Sequence, residues 1–176
     1  MEEQTQTATE TADEGHVATS KKTIIVFSGD LDKMMAAFII ANGAAAMGDE
    51  VTMFFTFWGL NALRRPEKVQ VKKPKSTLQA MFGRMMPRGP NKLGLSKMNF
   101  AGMGAPLMKK VMRDNNVMSI DELIATAKEQ EIKLVACTMS MDVMGLREEE
   151  LIDGLEFAGV GSYLAEADEA NVNLFI

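Results

Sequence analysis

The sequence predicts an α/β fold: an open, mostly parallel sheet of about five strands with helices on both faces. Short runs of β-branched and apolar residues alternate along the chain with longer helix-forming segments. The first three elements come in the order strand, helix, strand, which is typical of a parallel βαβ unit. The chain has 176 residues, of which 47% are hydrophobic, and this is enough for one packed core.

The first βαβ unit is predicted from the apolar run at residues 23–27. This run is rich in β-branched residues, and the turn Ser28-Gly29-Asp30 ends it. A helix is predicted over residues 31–47, with Asp30 as its N-cap and Gly48 as its C-cap. The apolar run at residues 50–57 is the second predicted strand.

The second half of the sheet is predicted from a helix start signal and a third apolar run. Ser119 is followed three residues later by Glu122, which is the pattern of a capping box and predicts a helix over residues 120–129. Residues 132–137 form the third predicted strand. The remaining predicted elements are a helix within residues 147–159, a short strand near Val160, a helix over residues 161–169 and a last strand over residues 172–176.

Residues 1–20 are predicted to form a flexible acidic tail, and residues 21–176 a single α/β domain. The tail is polar, carries no lysine or arginine, and lacks the apolar segment of a signal peptide. The longest apolar run, residues 34–47, is shorter than the roughly 20 residues of a membrane helix. We therefore expect no integral membrane span and a cytoplasmic location. The net charge of −5 gives no reason to expect nucleic-acid binding.

A basic insertion, residues 64–113, separates the second predicted strand from the third. It holds 13 of the 19 lysines and arginines of the chain against one acidic residue, Glu67, and it is rich in methionine and glycine. The insertion fits a solvated face, a docking site for an acidic partner or a sister subunit, or a contact with anionic membrane. Partner docking is favoured because methionine-rich surfaces adapt to partners. The predicted docking residues are Arg84, Arg88, Lys92 and Lys97.

The chain has one histidine, His16 in the tail, and one cysteine, Cys137. A single cysteine forms no internal disulfide, which suits a reducing compartment. Hydrolase dyads and triads need a positioned imidazole, and zinc sites need a cluster of Cys and His. We therefore expect no such site, no metal and no cofactor. Methionines 139, 141 and 144 indicate packing more than a Cu(I) site, although their soft sulfur ligands fit copper.

Cys137 is the first candidate for chemistry, since it ends the third predicted strand. Ligands of open parallel sheets bind beyond the carboxyl ends of the strands. The N–H groups of residues 138–140, at the start of the next turn or helix, would favour the thiolate that attacks sulfur. The predicted anion or persulfide pocket includes Thr138, Met139 and Ser140. The alternative stays open that Cys137 is an inert core residue, because free cysteines are usually buried.

The turn Ser28-Gly29-Asp30 is the second candidate. It ends the first predicted strand and begins a helix, so its N–H groups are predicted to contact an anion or the persulfide in the same pocket. The chain lacks the G-x-G-x-x-G pattern of dinucleotide-binding loops at this position. Plain turn formation is the alternative interpretation.

Five stretches in order resemble the DsrE/DsrF-like family, specifically its larger branch, which is often labelled peroxiredoxin-like. They are KTIIVFSGDLDKMMAAFIIANGAAAMG, RMMPRG, LSKMNFAGMG, ACTMSMDVMG and LREEELIDGLEFAGVGSYL, and they cover nearly everything after residue 21. The resemblance implies a flavodoxin-like subunit that forms homo-oligomers. It also implies sulfur relay, in which a strand-end cysteine, matched here by Cys137, accepts sulfane sulfur and passes it to a TusA-like carrier protein. Members of this branch with additional cysteines exist, but this chain has none, which argues against a disulfide-forming or peroxidase mechanism.

The leading hypothesis is therefore a sulfurtransferase or sulfur carrier that holds sulfane sulfur as a persulfide on Cys137. The alternative is a non-catalytic, oligomeric binding module for a small anion or nucleotide at the strand ends, in which Cys137 is structural.

Overall fold

The fold is built on a five-stranded sheet with every neighbouring pair of strands parallel. The strands are β1 (Lys21–Val26), β2 (Glu50–Phe55), β3 (Lys133–Cys137), β4 (Glu156–Ala158) and β5 (Val172–Phe175), in the spatial order β4-β3-β2-β1-β5. The computed structural model describes residues 20–176, so the predicted tail lies outside the described residues apart from Ser20. The predicted open parallel sheet is confirmed.

Six α-helices accompany the sheet in the described residues. They are α1 (Leu31–Ala46), α2 (Thr77–Met85), α3 (Gly104–Asp114), α4 (Ile120–Glu129), α5 (Thr138–Met144) and α6 (Val160–Glu169). Helices α1 and α4 pack together over one face, where the Nδ2 of Asn42 donates to the carbonyl of Leu123 at 3.0 Å. Helix α6 covers the other face with Tyr163. The prediction of helices on both faces is thus confirmed.

Alternation along the strands assigns side chains to the two faces. Met53 and Phe55 of β2 belong to the larger core beneath α1 and α4, whereas Phe54 belongs to a smaller cluster beneath α6. In β3, Val135 and Cys137 join that smaller cluster, because residues two apart in a strand point to the same face. The alternation therefore places the thiol on the α6 face.

The predicted helix ends agree with the structure in part. Ser119 caps α4, accepting from the N–H of Glu122, while the Glu122 carboxylate accepts from the N–H of Ser119, so the capping box is confirmed. Asp30 lies at the N-cap of α1, but its side chain makes no capping hydrogen bond. Gly48 follows the C-cap of α1 with φ +91°, a conformation that glycine adopts without strain.

The predicted helix within residues 147–159 is wrong. The chain forms only a 3-10 turn at Glu148–Glu150 and then strand β4, with α6 beginning at Val160. Tertiary contacts override the local helical preference, because the N–H of Ile152 donates to the carbonyl of Leu63 and Leu151 forms an antiparallel bridge with Arg64. The short strand predicted near Val160 is β4, two residues earlier.

The basic insertion contains ordered elements that sequence analysis did not predict. Besides α2 and α3, it includes 3-10 turns at Pro90–Lys92 and Phe100–Gly102. Helix α2 begins with a capping box between Ser76 and Gln79, a pattern that is readable in the sequence. The Gln79 side chain also donates to the carbonyl of Asp142 at 2.9 Å, which joins α2 to α5.

Gly145 provides a test of the contact between α2 and α5. It ends α5 with φ +67°, and a Cβ at this position would lie 2.5 Å from the Cβ of Gln79. We expect Gly145→Ala to lower the free energy of unfolding by about 1–3 kcal/mol, because backbone strain and overlap add. Gly161→Ala in α6 is the matched control, since no atom lies within 4 Å of its added Cβ. It should be neutral or stabilising by up to about 1 kcal/mol. Equal effects of the two substitutions in urea unfolding would contradict this expectation.

Candidate functional site at the carboxyl edge of the sheet

Cys137 is the last residue of β3 and is 2% exposed. Its side chain belongs to the small apolar cluster with Phe54, Val135 and Tyr163. In the sheet it lies opposite Ala158 of the edge strand β4. Helix α5 begins at the next residue, so the structure places the thiol at the strand end that the sequence predicted.

The three residues after Cys137 form the first turn of α5 and differ in exposure. Thr138 is exposed, and its hydroxyl donates to the carbonyl of Ala158 at 3.4 Å. Met139 is 56% exposed, whereas Ser140 is fully buried. No side chain caps this helix. First-turn N–H groups lack intrahelical partners, so this turn offers donors near the thiol.

Thr56 is a site residue that sequence analysis missed. It follows β2, and its hydroxyl is 2.6 Å from the hydroxyl of Ser140. Its N–H donates to the carbonyl of Val26 at the end of β1. Thr56 therefore links the end of β1 to the first turn of α5. Sequence analysis placed Thr56 inside the second predicted strand, residues 50–57, whereas the strand ends at Phe55 and leaves Thr56 at the strand end.

The turn Ser28-Gly29-Asp30 lies at the same edge of the sheet, but strand β2 stands between it and Cys137. The Ser28 hydroxyl donates to the Asp30 carboxylate at 3.0 Å, and Asp30 pairs with Lys33. The N–H of Ser28 donates to the carbonyl of Ile176, and the N–H of Asp30 to the Ser28 hydroxyl. Two N–H groups of the turn are thus occupied inside the chain.

Strand β2 separates this turn from Cys137, because β1 and β3 flank it on either side. A Cβ added at Gly29 would lie 2.9 Å from the carbonyl oxygen of Trp58, so the turn packs on the segment after β2. Within residues 20–176, no side-chain hydrogen bond joins residues 28–30 to residues 137–140. Thr56 bridges part of this distance, since its N–H bonds the carbonyl of Val26 at the end of β1 and its hydroxyl bonds Ser140.

A groove of about 510 Å³ opens beside Thr138. Its walls carry both signs of charge, and Cys137 itself does not line it. The lining residues are Lys72, Lys73, Thr138, Met141, Asp142, Leu146, Arg147, Glu148 and Glu149. The groove therefore comes within one residue of the thiol.

The methionines after Cys137 do not converge on its sulfur. Met141 and Met144 are buried in the larger core on the opposite side of the sheet, while Met139 is exposed. In the described part of the chain, no three His, Cys, Asp or Glu side chains are grouped so as to hold a metal ion. The geometry therefore gives no support to the copper alternative.

The predicted docking residues have different surroundings. Arg84, Lys92 and Lys97 are exposed. Arg88 is half-buried and pairs with the carboxylate of Glu150 at 3.1 Å. Among residues 20–176 the longest helix, α1, has 16 residues, and none combines the length and apolarity that a bilayer span requires.

An aromatic group at the same edge of the sheet also escaped sequence analysis. The ring of Phe27 lies 5.7 Å from that of Phe57 and 5.8 Å from that of Phe175, measured between centroids. Phe175 is 68% exposed, and nearby Trp58 is 47% exposed. These apolar side chains form an exposed patch of the kind found at interaction surfaces.

Comparisons with known proteins bear on the whole chain. It is 60% identical over 158 residues to an uncharacterized protein, YrkE, of Bacillus subtilis (strain 168), covering 90% of this chain and 98% of that one. It is 38% identical over 160 residues to the sulfur carrier protein DsrE2 of Allochromatium vinosum, covering 89% and 98%. The crystal structure of YchN from E. coli matches with a TM-score of 0.51 at 12% identity, over 90% of this chain and all of that one, which supports the fold alone.

The model of the DsrE/DsrF/DrsH-like family matches residues 18–175, which include every strand and helix described above. The strand-end position of Cys137 and the parallel sheet agree with the resemblance inferred from the sequence motifs. The family model matches nearly the full length of the chain, and a relative with 38% sequence identity is matched over 98% of its length. The chain therefore belongs to the DsrE/DsrF/DrsH-like family.

Proposed function

We propose that this protein is a sulfur-relay protein that carries sulfane sulfur as a persulfide on Cys137. The observation that carries the proposal is the position of the thiol: it ends a central strand at the carboxyl edge, directly before the first turn of α5. A relative that is 38% identical and matched over 98% of its length is a sulfur carrier protein, which supports the same role.

The proposed chemistry needs one thiolate and no cofactor. The Cys137 thiolate attacks the outer sulfur of a donor persulfide or polysulfide, the donor S–S bond breaks, and the donor leaves as a thiolate. Cys137 then carries the extra sulfur. A thiolate of the partner attacks that sulfur in turn, and the Cys137 thiolate leaves. Electrons balance over the two exchanges, so no oxidant or reductant is consumed.

Polar groups around the first turn of α5 would stabilise the anionic persulfide. N–H groups of residues 138–140 and the Thr138 and Ser140 hydroxyls are the proposed donors. Thr56 supports them by holding the Ser140 hydroxyl at 2.6 Å. In the proposal, the turn at residues 28–30 lines the far side of the same pocket.

Transfer to a partner requires the buried sulfur to become accessible. Cys137 is buried in one cluster with Tyr163 of α6, and its neighbouring strand β4 has only three residues. Segments with few buried contacts open at low free energy, and Glu156 and Phe157 of β4 are exposed. The groove beside Thr138 gives a partner an approach to the adjoining residue.

The proposed partner is a small sulfur-carrier protein of the TusA-like kind. The exposed cations Arg84 and Lys97 of the basic insertion support docking of an acidic surface, because complementary charge speeds association. The proposal includes self-association as a homo-oligomer, which the exposed aromatic patch around Phe27 and Phe175 supports. It also includes a cytoplasmic location, which suits a single unpaired cysteine.

Intact-mass measurement after incubation with polysulfide tests the proposal. We expect the wild-type chain to gain one or more sulfur atoms and to lose them on treatment with a reducing thiol. Cys137→Ser should gain none, since it removes the one thiol of the chain. Circular dichroism of the variant checks that it is folded. A wild-type chain that gains no sulfur, or a Cys137→Ser chain that gains as much, would refute persulfide formation at Cys137.

A second candidate function is a non-catalytic binding module in which Cys137 is structural. The 2% exposure of the thiol favours it, because inert cysteines are usually buried. Under this alternative, the folded protein takes up no sulfur and Cys137 does not react with an alkylating reagent at neutral pH.

A further inference from the structure

One buried carboxylate, Glu150, serves three cations. Its Oε1 lies 3.1 Å from the Nη2 of Arg88 and 3.8 Å from the Nη2 of Arg64, and its Oε2 pairs with the ammonium of Lys75. The Glu150 side chain is 3% exposed and that of Arg64 is 0% exposed. The group of four therefore holds two positive charges that no carboxylate within the group balances.

Arg64 is held mainly by neutral partners. Its Nη1 donates to the carbonyls of Met86 and Pro87 at 3.2 and 3.0 Å, and its Nη2 to that of Gly83 at 2.9 Å. Its Nε is buried and has no hydrogen-bond partner among the described residues. A buried guanidinium with an unpaired N–H lowers the stability of the fold, because its hydrogen bonds and ion pair offset only part of the free energy needed to remove the charge from water.

A cavity of about 590 Å³ adjoins this cluster, and Arg64 and Arg88 form part of its wall. The volume falls in the range of small-molecule sites. Most of the wall is apolar, contributed by Ala62, Pro66, Met86, Pro87, Pro90, Ile124, Ala125 and Ile152. The cavity thus combines an apolar body with cationic groups.

The remaining charged residues of the wall add to the positive excess. Lys92 and Lys128 line the cavity, against one carboxylate, Asp121. Lys92 makes no ion pair within residues 20–176, and the ammonium of Lys128 contacts a neutral carbonyl, that of Asp153, at 2.6 Å. An arriving anion would therefore meet cations that have no carboxylate partner.

We propose that this cavity is a binding site for a small organic anion with an apolar body, such as an alkyl carboxylate. The carboxylate contacts the side of the cavity formed by Arg88 and Lys92, and the buried charge of Arg64 lies behind this side. The alkyl chain packs against Ile124 and Ile152, and the apolar wall excludes water from the carboxylate and from the alkyl chain.

The electrostatics of Arg64 agree with this assignment. Burial, together with repulsion by Arg88 and against the attraction of Glu150, lowers the pKa of Arg64 to about 10. The guanidinium remains charged at neutral pH. A bound anion would offset the repulsion between the two arginines, as a second carboxylate would.

The cavity is separate from the thiol. Its walls belong to the segment after β2, the insertion, α4 and the segment before β4, on the larger-core side of the sheet. Cys137 instead lies in the cluster beneath α6. Of the four residues predicted to dock a partner, Arg88 and Lys92 line this cavity, and Arg84 and Lys97 do not. Anion binding here is consequently independent of persulfide formation, and either can fail alone.

Titration of the full chain with octanoate, followed by amide NMR shifts, tests the proposal. Octanol supplies the same alkyl chain without the charge, and acetate supplies the charge without the chain. We expect saturable shifts at Gly89, Asn91, Lys92 and Ala125 with octanoate, and at least about tenfold weaker binding of the other two compounds.

Lys92→Met should weaken octanoate binding about fivefold, the amount expected for one exposed charge contact. Lys110→Met is the matched control, since Lys110 is an exposed lysine of α3 outside the cavity. This variant should bind octanoate with the affinity of the wild type. Ala125→Trp should abolish binding by filling the cavity from the exposed face of α4.

Three results would overturn the proposal. The first is equal binding of octanol and octanoate, which would show that the cations contribute nothing. The second is octanoate-induced shifts confined to the other apolar cavity, lined by Leu95, Phe100, Leu107 and Val111. The third is no saturable shift at all.

Discussion

Glu150→Gln should lower the free energy of unfolding by about 3–5 kcal/mol, the cost of breaking a buried ion pair by removing one partner. The substitution keeps the shape of the side chain and removes its charge. Arg64, Lys75 and Arg88 then face one another without a carboxylate, and Arg64 is fully buried. Urea unfolding followed by circular dichroism measures the loss.

The neighbouring Glu148→Gln is the matched control for the Glu150 substitution. Glu148 is exposed, and it forms no ion pair in the described part of the chain. Its substitution should change the free energy of unfolding by no more than about 0.5 kcal/mol. Similar losses for the two variants would show that the buried cluster does not depend on the Glu150 charge.

The same carboxylate predicts a pH dependence of stability. Burial by itself raises the pKa of Glu150, but the hydrogen bond and charge of Lys75, with further help from Arg64, outweigh it and hold the pKa below its ordinary value of 4.5. A depressed pKa contributes stability that is present above pH 4.5 and is lost as pH falls through the folded-state pKa. The wild type should therefore lose stability below about pH 4.5 more steeply than Glu150→Gln does.

Tyr163→Ala should both destabilise the protein and uncover Cys137. Tyr163 is 7% exposed, its ring lies 5.0 Å from that of Phe54, and its hydroxyl is 3.2 Å from that of Thr23. Removing a buried aromatic ring costs about 3–5 kcal/mol. Alkylation of Cys137 at neutral pH should become at least about tenfold faster. The reason is that lowering the free energy of local opening by about 1.4 kcal/mol increases the opened fraction tenfold.

Two control variants distinguish local exposure of Cys137 from two other effects of Tyr163→Ala, namely the loss of global stability and the loss of the Tyr163 hydroxyl. Glu150→Gln has a similar expected cost but lies outside the cluster around Cys137, so it controls for global unfolding. Tyr163→Phe keeps the ring, and it should cost only about 0.5–1.5 kcal/mol and leave alkylation slow. Alkylation of Glu150→Gln as fast as that of Tyr163→Ala would show that α6 does not gate the thiol.

The strands and their surrounding helices could be predicted because their signals are local. The apolar runs of β1, β2 and β3 and the capping box at Ser119 each depend on residues close in sequence. The position of Cys137 at a strand end followed from the same patterns. The capping box at Ser76 shows that α2 was also within reach of local signals.

The segment after Gly145 could not be predicted in this way. The acidic run Glu148–Glu150 favours a helix start when it is considered alone. In the folded chain, Glu150 is instead buried against Arg64, Lys75 and Arg88, which lie 62 to 86 positions earlier in the sequence. An extended segment brings its carboxylate to these cations, and that contact outweighs the helical preference.

Residue type and local pattern were enough to predict the parallel α/β fold and the family. They also restrict thiol chemistry to one cysteine, with no histidine in residues 21–176. Three features required the folded chain: Cys137 packs in one cluster with Tyr163, Thr56 bonds Ser140, and Arg64 is a buried cation beside a cavity instead of part of a basic surface. The reason is physical: burial, charge balance and cavities arise from packing between residues far apart in the chain, and a local pattern carries no record of those contacts.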